Sequence, residues 1–362
     1  MTDIYLLRHA ETDRGKGLCI GRSENGLSKT GRNRAAVLAC WMKENIPDIA
    51  EIHTSPLQRA VDTAGIITRR YSLISQIDSA LAEIDTGIWD GMSFAKIREE
   101  FPGEYERRGK DPWHYRIEKG ETFEEAGRRM KAAMLQIAES KKTTLVVSHK
   151  GAINALRVSL EQAEEYDILN LTCPNLSIVK VHVDSNTISL ETEPYRPEVL
   201  LDDEMTAELW QKHQTPEHVI RHMQAVADYA MEILQHTAGR FNAERIRKAA
   251  LLHDLDRLQP HHAAVAARSL QKEGFPEIAG MIAGHHREEY DPGAALSDAD
   301  ILWYADKCVL EDKVVGIGER FAASRKKCKS EEALIHHQRR YEKAVWIRNK
   351  LEEENNDETD QN

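Results

Sequence analysis

Two histidines, two arginines and a glutamate carry the residue types that chemistry at phosphorus requires. His9 follows the apolar run from Ile4 to Leu7, and His149 follows the run from Thr144 to Val147. Both runs read as buried strands, and open α/β sheets gather their active sites at such strand ends. Two histidines that meet there share one ligand. A phosphoryl group needs positive charge around its equatorial oxygens, an in-line nucleophile and an acid for the leaving group. Arg8 lies beside His9. Arg59 sits near the start of a helix expected at Ser55-Pro56-Leu57-Gln58, where backbone amides favour an anion. Glu83 occupies a loop punctuated by Gly87 and Gly91, placed to serve as proton donor.

A second set of residues has metal-ligand character. Beyond Asp202 lie 11 of the 16 histidines. Among them His222, the adjacent pair His253-Asp254 and then Asp306 come in the order His, His-Asp, Asp, in segments expected to be helical. Imidazoles and carboxylates together suit a hard or borderline divalent ion: manganese, iron, cobalt, nickel or magnesium. Such an ion lowers the pKa of bound water and polarises a phosphoryl oxygen. His213, His236, His336 and His337 stand apart from this order and are expected to be capped or solvated.

Strands and helices alternate up to about residue 192, which predicts an α/β layer architecture. The expected strands are Ile4 to Leu7, Thr144 to Val147, Leu176 to Val183 and Thr187 to Glu191. Ser55-Pro56-Leu57-Gln58 reads as a helix start with an N-cap serine, a proline at the first helical position and a capping-box glutamine. Thr122-Phe123-Glu124-Glu125 reads as a second capping box ahead of Met130, Ala133, Met134 and Ile137. The strand pattern stops around Pro194-Tyr195-Arg196-Pro197. A polar, acidic stretch over 196–214 is expected to be a linker, and almost everything beyond it reads as helix, predicting an all-α second domain over 215–345. A last helix is expected from about Glu331 to Glu354, with residues 346–362 grading into an acidic tail too polar to pack.

The 362 residues suit two domains, each able to bury its own core. A formal net charge of −11 argues against a broad nucleic-acid footprint. No apolar run reaches membrane-spanning length, and Met1-Thr2-Asp3 leads straight into a strand without a signal-peptide pattern, so a cytoplasmic protein with no membrane partner is expected. Cys19, Cys40, Cys173, Cys308 and Cys328 are odd in number and form no Cys-x-x-Cys, which predicts free thiols.

Taken in order, five motifs resemble the histidine phosphatase superfamily, which includes phosphoglycerate mutases and α-ribazole phosphatases. They are Arg8-His9-Ala10-Glu11-Thr12, Gly21-Arg22-Ser23 with Leu27-Ser28, Ser55-Pro56-Leu57-Gln58-Arg59-Ala60 with Thr63-Ala64, the Glu83 loop, and Ser148-His149. The resemblance covers residues 1–195 and implies a phosphoglycerate mutase-like, three-layer α/β/α domain that needs no cofactor. It implies that His9 attacks phosphorus to form a phosphohistidine, that Arg8, Arg59 and His149 bind the phosphate, and that Glu83 protonates the leaving alcohol and then activates water. Ala10 and Lys150 stand where the family usually has glycine. The Ala10 methyl is expected to crowd the phosphate pocket, and Lys150 to favour a more anionic substrate. The short spacing from His9 to His149 resembles the phosphatases rather than the longer mutases.

From about Thr215 to Lys313 the chain resembles the HD phosphohydrolase superfamily, a group of helical metal enzymes. The match rests on His222 before Val226-Ala227, Leu251-Leu252-His253-Asp254, His262 opening an alanine-rich helix, Ile282-Ala283-Gly284-His285-His286 and Tyr304-Ala305-Asp306-Lys307. It implies His222, His253, Asp254, His262, His285 and Asp306 as metal ligands for one ion or two, Asp254 bridging a pair and His286 an additional candidate. Asp256-Arg257 replaces a common Gly-Lys, leaving Arg257 to hold a phosphate. Together the resemblances predict a bifunctional phosphohydrolase acting on small phosphorylated molecules such as nucleotides. The alternatives are a phosphatase regulated by a nucleotide-sensing HD domain and a phosphoglycerate mutase-type isomerase.

Overall fold

The computed structural model describes residues 2–359 apart from Lys16, Gln162, Asn186 and Ala238, with side chains as far as Glu353. The chain divides into two compact units, Met1–Leu200 with Lys272–Gly274, and Leu201–Gln271 with Phe275–Asn362. Among the described residues no helix is long and apolar enough to cross a membrane.

The first unit is a six-stranded sheet between helices. Its strands are β1 (Thr2–Arg8), β2 (Glu51–Thr54), β3 (Ser75–Ile77), β4 (Thr144–Ser148), β5 (Ile178–Asp184) and β6 (Thr187–Leu190), in the order β3-β2-β4-β1-β5-β6. β1 to β4 run parallel, whereas β5 and β6 are antiparallel additions beside β1. Its helices are α1 (Lys29–Asn45), α2 (Gln58–Tyr71), α3 (Phe94–Glu100), α4 (Pro102–Lys110), α5 (Phe123–Ala138) and α6 (Lys150–Ser159). β4 is buried along its whole length, as a central parallel strand covered on both faces must be. Leu7, Leu145 and Val147 pack with Leu38 and Ile67 of α1 and α2, while Leu6 and Val146 pack with Met130 and Ile153 of α5 and α6. The period-2 alternation of side chains thus feeds two cores, one on each face.

The parallel register of β1 against β4 sets Leu7 opposite Val147 and Arg8 opposite Ser148. His9 and His149 are the next residues on the two strands, and the His9 amide donates to the Ser148 carbonyl at 3.0 Å.

β2 and β3 escaped the sequence pattern because they are only four and three residues long. The start of α2 also differs from expectation. The helix begins at Gln58 with Leu57 as N-cap, and the Ser55 hydroxyl accepts the Leu57 amide at 3.2 Å, closing a turn ahead of the helix. The Thr122/Glu125 capping box forms as expected at the start of α5.

The second unit is helical: α7 (Asp203–Lys212), α8 (Glu217–Leu234), α9 (Ala243–Ala250), α10 (His262–Lys272), α11 (Pro276–Ala283), α12 (Asp298–Cys308), α13 (Ile317–Arg325) and α14 (Glu331–Thr359). A two-residue ribbon, β7 (Val309–Leu310) with β8 (Lys313–Val314), follows α12. Residues 196–214 do not form a free linker. Leu200 is buried in the first unit, and Leu201, Met205 and Leu209 lie in the core of the second, because the acidic stretch hides an amphipathic face in α7. Nor do residues 346–359 form a tail: α14 continues to Thr359 and buries Ile347 and Leu351. Residues 360–362 of that expected tail lie outside the described residues.

Replacing Ile347 by alanine should lower the stability of the second unit by about 3 kcal/mol, the usual cost of a buried isoleucine truncation. Urea unfolding followed by tryptophan fluorescence checks this, and a disordered tail would leave the transition unmoved.

Candidate active sites

In the first unit the two strand-end histidines face one another, ring centroids 5.0 Å apart. His9 Nδ1 lies 2.7 Å from the Ala10 carbonyl oxygen. A carbonyl only accepts, so Nδ1 carries the proton and Nε2 keeps a free lone pair. Burial, and then the charges of Arg8 and Arg59, push the His9 pKa well below its ordinary value, so the ring is neutral at neutral pH. His149 is fully buried behind it, its pKa also pushed well down by burial and then by His9, Arg59 and Arg8. His149 Nε2 is 2.7 Å from the Ser55 hydroxyl, while its Nδ1 is buried with no partner.

Two guanidinium groups complete the cluster. Arg8 donates to the Cys173 carbonyl at 2.6 Å and leaves its Nε buried and unpartnered. Arg59, in the first turn of α2, donates to the carbonyls of Gly21 at 2.6 Å and Ser23 at 3.0 Å. The Glu83 carboxylate accepts the amides of Ile84, Gly151 and Ala152 at 2.9, 3.1 and 2.9 Å, which ties the loop to the first turn of α6. A Cβ at Gly151 would lie 2.6 Å from Glu83 Oε1, so only glycine leaves room for the carboxylate there. Arg8, His9, Arg59, Glu83, Lys150 and Asn175 share the wall of one cleft of about 680 Å³. Ala10 departs from expectation: it is fully buried within the core beside α1 and α2, and its amide donates to Thr63 Oγ1 at 3.0 Å. Its methyl therefore packs rather than crowds the cleft.

In the second unit three imidazoles have Nδ1 committed to backbone carbonyls. The Nδ1 atoms of His222, His253 and His285 donate to the carbonyls of Glu311, Ala250 and Ile282 at 2.6, 2.8 and 2.7 Å. Such bonds fix the tautomer that leaves Nε2 free as a ligand. Nε2 of His253 and of His285 is buried without a hydrogen-bond partner, a cost of about 1–3 kcal/mol each unless something accepts the lone pair. His222 Nε2 is 3.2 Å from Asp306 Oδ1, and His253 Nε2 is 3.7 Å from both Asp306 Oδ1 and Asp254 Oδ2. On the other side Asp254 Oδ1 lies 3.1 Å from His262 Nε2 and 3.8 Å from His285 Nε2. The ligand atoms of His222, His253 and Asp306 lie within 4.8 Å of one another, as do those of His253, Asp254 and His285 and those of His262, His285 and His286. These residues fit one or two divalent cations, with Asp254 between the two groups.

The family profile of the histidine phosphatase superfamily (branch 1) matches residues 4–193. The chain belongs to the histidine phosphatase superfamily. Its histidine phosphatase domain is followed by an HD domain, whose profile matches residues 219–335. The 6-phosphofructo-2-kinase/fructose-2,6-bisphosphatase 1 of Mus musculus is 28% identical over 178 residues, covering 49% of this chain and 36% of that protein. The 6-phosphofructo-2-kinase/fructose-2,6-bisphosphatase of Aquarana catesbeiana is 30% identical over 179 residues, covering 49% and 37%. The chain thus spans little more than a third of the length of these relatives. Bacillus stearothermophilus YhfR shares the fold of the first domain, with a TM-score of 0.51 and 25% identity over 55% of this chain and all of that one.

The histidine phosphatase domain brings together all five residues singled out in its sequence, and adds two that spacing did not suggest. Ser55, expected as a helix cap, instead bonds His149. Asn175 donates to the His9 carbonyl at 2.9 Å. In the HD domain the expected ligands converge, but His253 and Asp254 lie in turns after α9 ends at Ala250 rather than within a helix. His286, only an additional candidate from sequence, has Nε2 at 3.0 Å from that of His262. Lone histidines pair locally, His213 with Asp256 at 2.9 Å and His336 with Glu288 at 2.7 Å.

Because the folded-state pKa values of His9 and His149 are depressed, both rings should remain neutral as pH falls through about 6.5, where exposed histidines protonate. Imidazole NMR over that range checks this. The unfolded chain binds those protons first, so the two histidines should subtract stability progressively below about pH 6.5.

Proposed function

We propose that the chain is a phosphohydrolase with two separate active sites, the first a metal-independent histidine phosphatase and the second a metal-dependent HD hydrolase. The observation that carries the first reading is the neutral, Nε2-exposed His9 set among Arg8, Arg59, His149 and Glu83. His9 Nε2 attacks phosphorus, forming an N–P bond as the P–O bond to the leaving alcohol breaks. Arg8 and Arg59 balance the charge on the equatorial oxygens; with the Ser55 hydroxyl donating to His149 Nε2, His149 Nδ1 holds the proton and joins the orphaned Arg8 Nε as a donor to them. The Glu83 carboxyl gives its proton to the departing oxygen. Its carboxylate then takes a proton from water, which attacks phosphorus, breaks the N–P bond and frees phosphate with His9 restored.

In the HD domain His222, His253, Asp254 and Asp306 would hold one cation, and Asp254, His262, His285 and His286 a second. A bound cation there supplies Lewis-acid polarisation and an acidified water. Arg257 and Lys307, beside Asp254 and Asp306, hold and orient an incoming phosphate. Small phosphorylated metabolites are the proposed substrates of both sites, a reading supported for the first by the fructose-2,6-bisphosphatase name of the relatives and for both by cleft size.

Phosphate release from a panel of phosphomonoesters and nucleotides, with excess chelator or added manganese, tests the division. His9→Ala should abolish chelator-resistant release, and Asp254→Ala the metal-dependent part, each leaving the other activity intact. Loss of all release in chelator would overturn the His9 mechanism. Gly151→Ala should lower kcat of the chelator-resistant reaction by about tenfold or more through displacement of Glu83, with little change in KM. Steady-state kinetics separates the two constants.

A further inference from the structure

The HD site opens into a cavity of about 760 Å³, far more than one phosphate fills and within the range of about 300–1,000 Å³ typical of sites for drug-sized ligands. His222, Asp254, Asp306 and His286 lie on its wall at one part, and α13, α14 and the turn between them supply another. That second part is basic: Arg320, Lys327 and Arg340 line it. Arg340 is partly neutralised by Glu288, at 3.4 Å. Among the described residues Arg320 makes one side-chain bond, from Nε to the Val309 carbonyl at 3.2 Å, and its two terminal nitrogens have no partner there. Lys327 has no ion pair or hydrogen bond of its side chain among the described residues.

The cations nearer the metal ligands are already engaged. Arg257 reaches Asp254 at 3.4 Å, Lys307 pairs with Asp306, and Arg221 lies 3.5 Å from Asp312. Bound divalent cations would offset Asp254 and Asp306, so the loaded cavity carries a clear positive excess in a protein whose net charge is −11. A single phosphate at the ligand cluster leaves Arg320 and Lys327 without a counter-charge. The cavity also offers little to read an aromatic base. Its wall ring Phe321 is buried and packs in T-shaped contacts with His337 at 5.2 Å and Tyr341 at 5.3 Å.

We infer that Arg320 and Lys327 form a second anion subsite of the HD domain, and that its substrate carries at least two phosphoryl groups, one at the His-Asp cluster and one at this subsite. The inference rests on the HD-hydrolase reading and narrows it to polyphosphorylated small molecules recognised through their phosphates. The basic run Arg325-Lys326-Lys327-Cys328-Lys329 thereby acquires a role through Lys327.

Isothermal titration of the intact protein with inorganic tripolyphosphate and with orthophosphate tests the subsite, in manganese and again in excess chelator, with bound metal counted by mass spectrometry. Against wild type, the Arg320→Gln/Lys327→Gln double variant should bind tripolyphosphate about tenfold more weakly in manganese, with orthophosphate affinity within about twofold. Lys327→Glu, at an exposed side chain with no structural bond, should weaken tripolyphosphate on its own and guards against misfolding of the double variant. Unchanged tripolyphosphate binding by both variants overturns the subsite. A protein that takes up no metal, yet loses tripolyphosphate affinity with the variants, retains the subsite and overturns the metal-hydrolase reading instead.

Discussion

Everything proposed for the first domain depends on the parallel pairing of β1 with β4. Hydrogen bonding in that ladder sets Arg8 opposite Ser148, so the next residue of each strand is a histidine and the two rings meet at 5.0 Å. A one-residue slip would turn each side chain to the other face of the sheet and separate them. The register is itself held by two apolar cores, since Leu7, Leu145 and Val147 must face α1 and α2 while Leu6 and Val146 face α5 and α6. Core packing and active-site geometry are therefore one constraint.

The same strand ends set the electrostatics. Arg8 and Arg59 are anchored by backbone carbonyls rather than by carboxylates, so their charge is directed at the cleft instead of being neutralised within the protein. That charge, added to burial, keeps His9 and His149 neutral. Glu83 is held by three amides, two of them from α6, the helix that His149 introduces. A neutral imidazole with its Nε2 lone pair free, an unpartnered Arg8 Nε and a carboxylate fixed by three amides thus line one cleft, and such a fixed polar arrangement is what electrostatic preorganisation means.

The HD domain uses the opposite strategy. Its charges are gathered against one another, with Asp254 and Asp306 among His222, His253, His262 and His285. Carbonyls at the ends of α9 and α11 and in the β7–β8 turn fix three of the imidazoles, so the rings are oriented by backbone rather than by the group they would bind. Helix α14 contributes from a distance: the buried Lys343 lies 3.4 Å from the carbonyls of Arg287 and Glu289, directly after His285 and His286. A helix whose distal half looks like a polar tail thus braces the turn that follows His285 and His286.

The amino-acid sequence alone determined the classes of structure and the chemical actors. Apolar runs of strand length specified β1 and β4, helical spacing and the Thr122 capping box specified α5, and the types and order of His9, Glu83, His149, His222, His253, Asp254 and Asp306 marked both sites. These signals are local, carried by residues within a few positions of one another. β2 and β3 are too short for a period to show, and the core-facing residues of α7 and α14 are diluted by acidic neighbours. Ser55 against His149, Asn175 against His9, His286 beside His262, and Arg320 and Lys327 across a cavity from Asp254 were decided only by tertiary structure. Each of those pairings joins residues distant in the chain, and their proximity follows from strand register and helix packing, which no local pattern records.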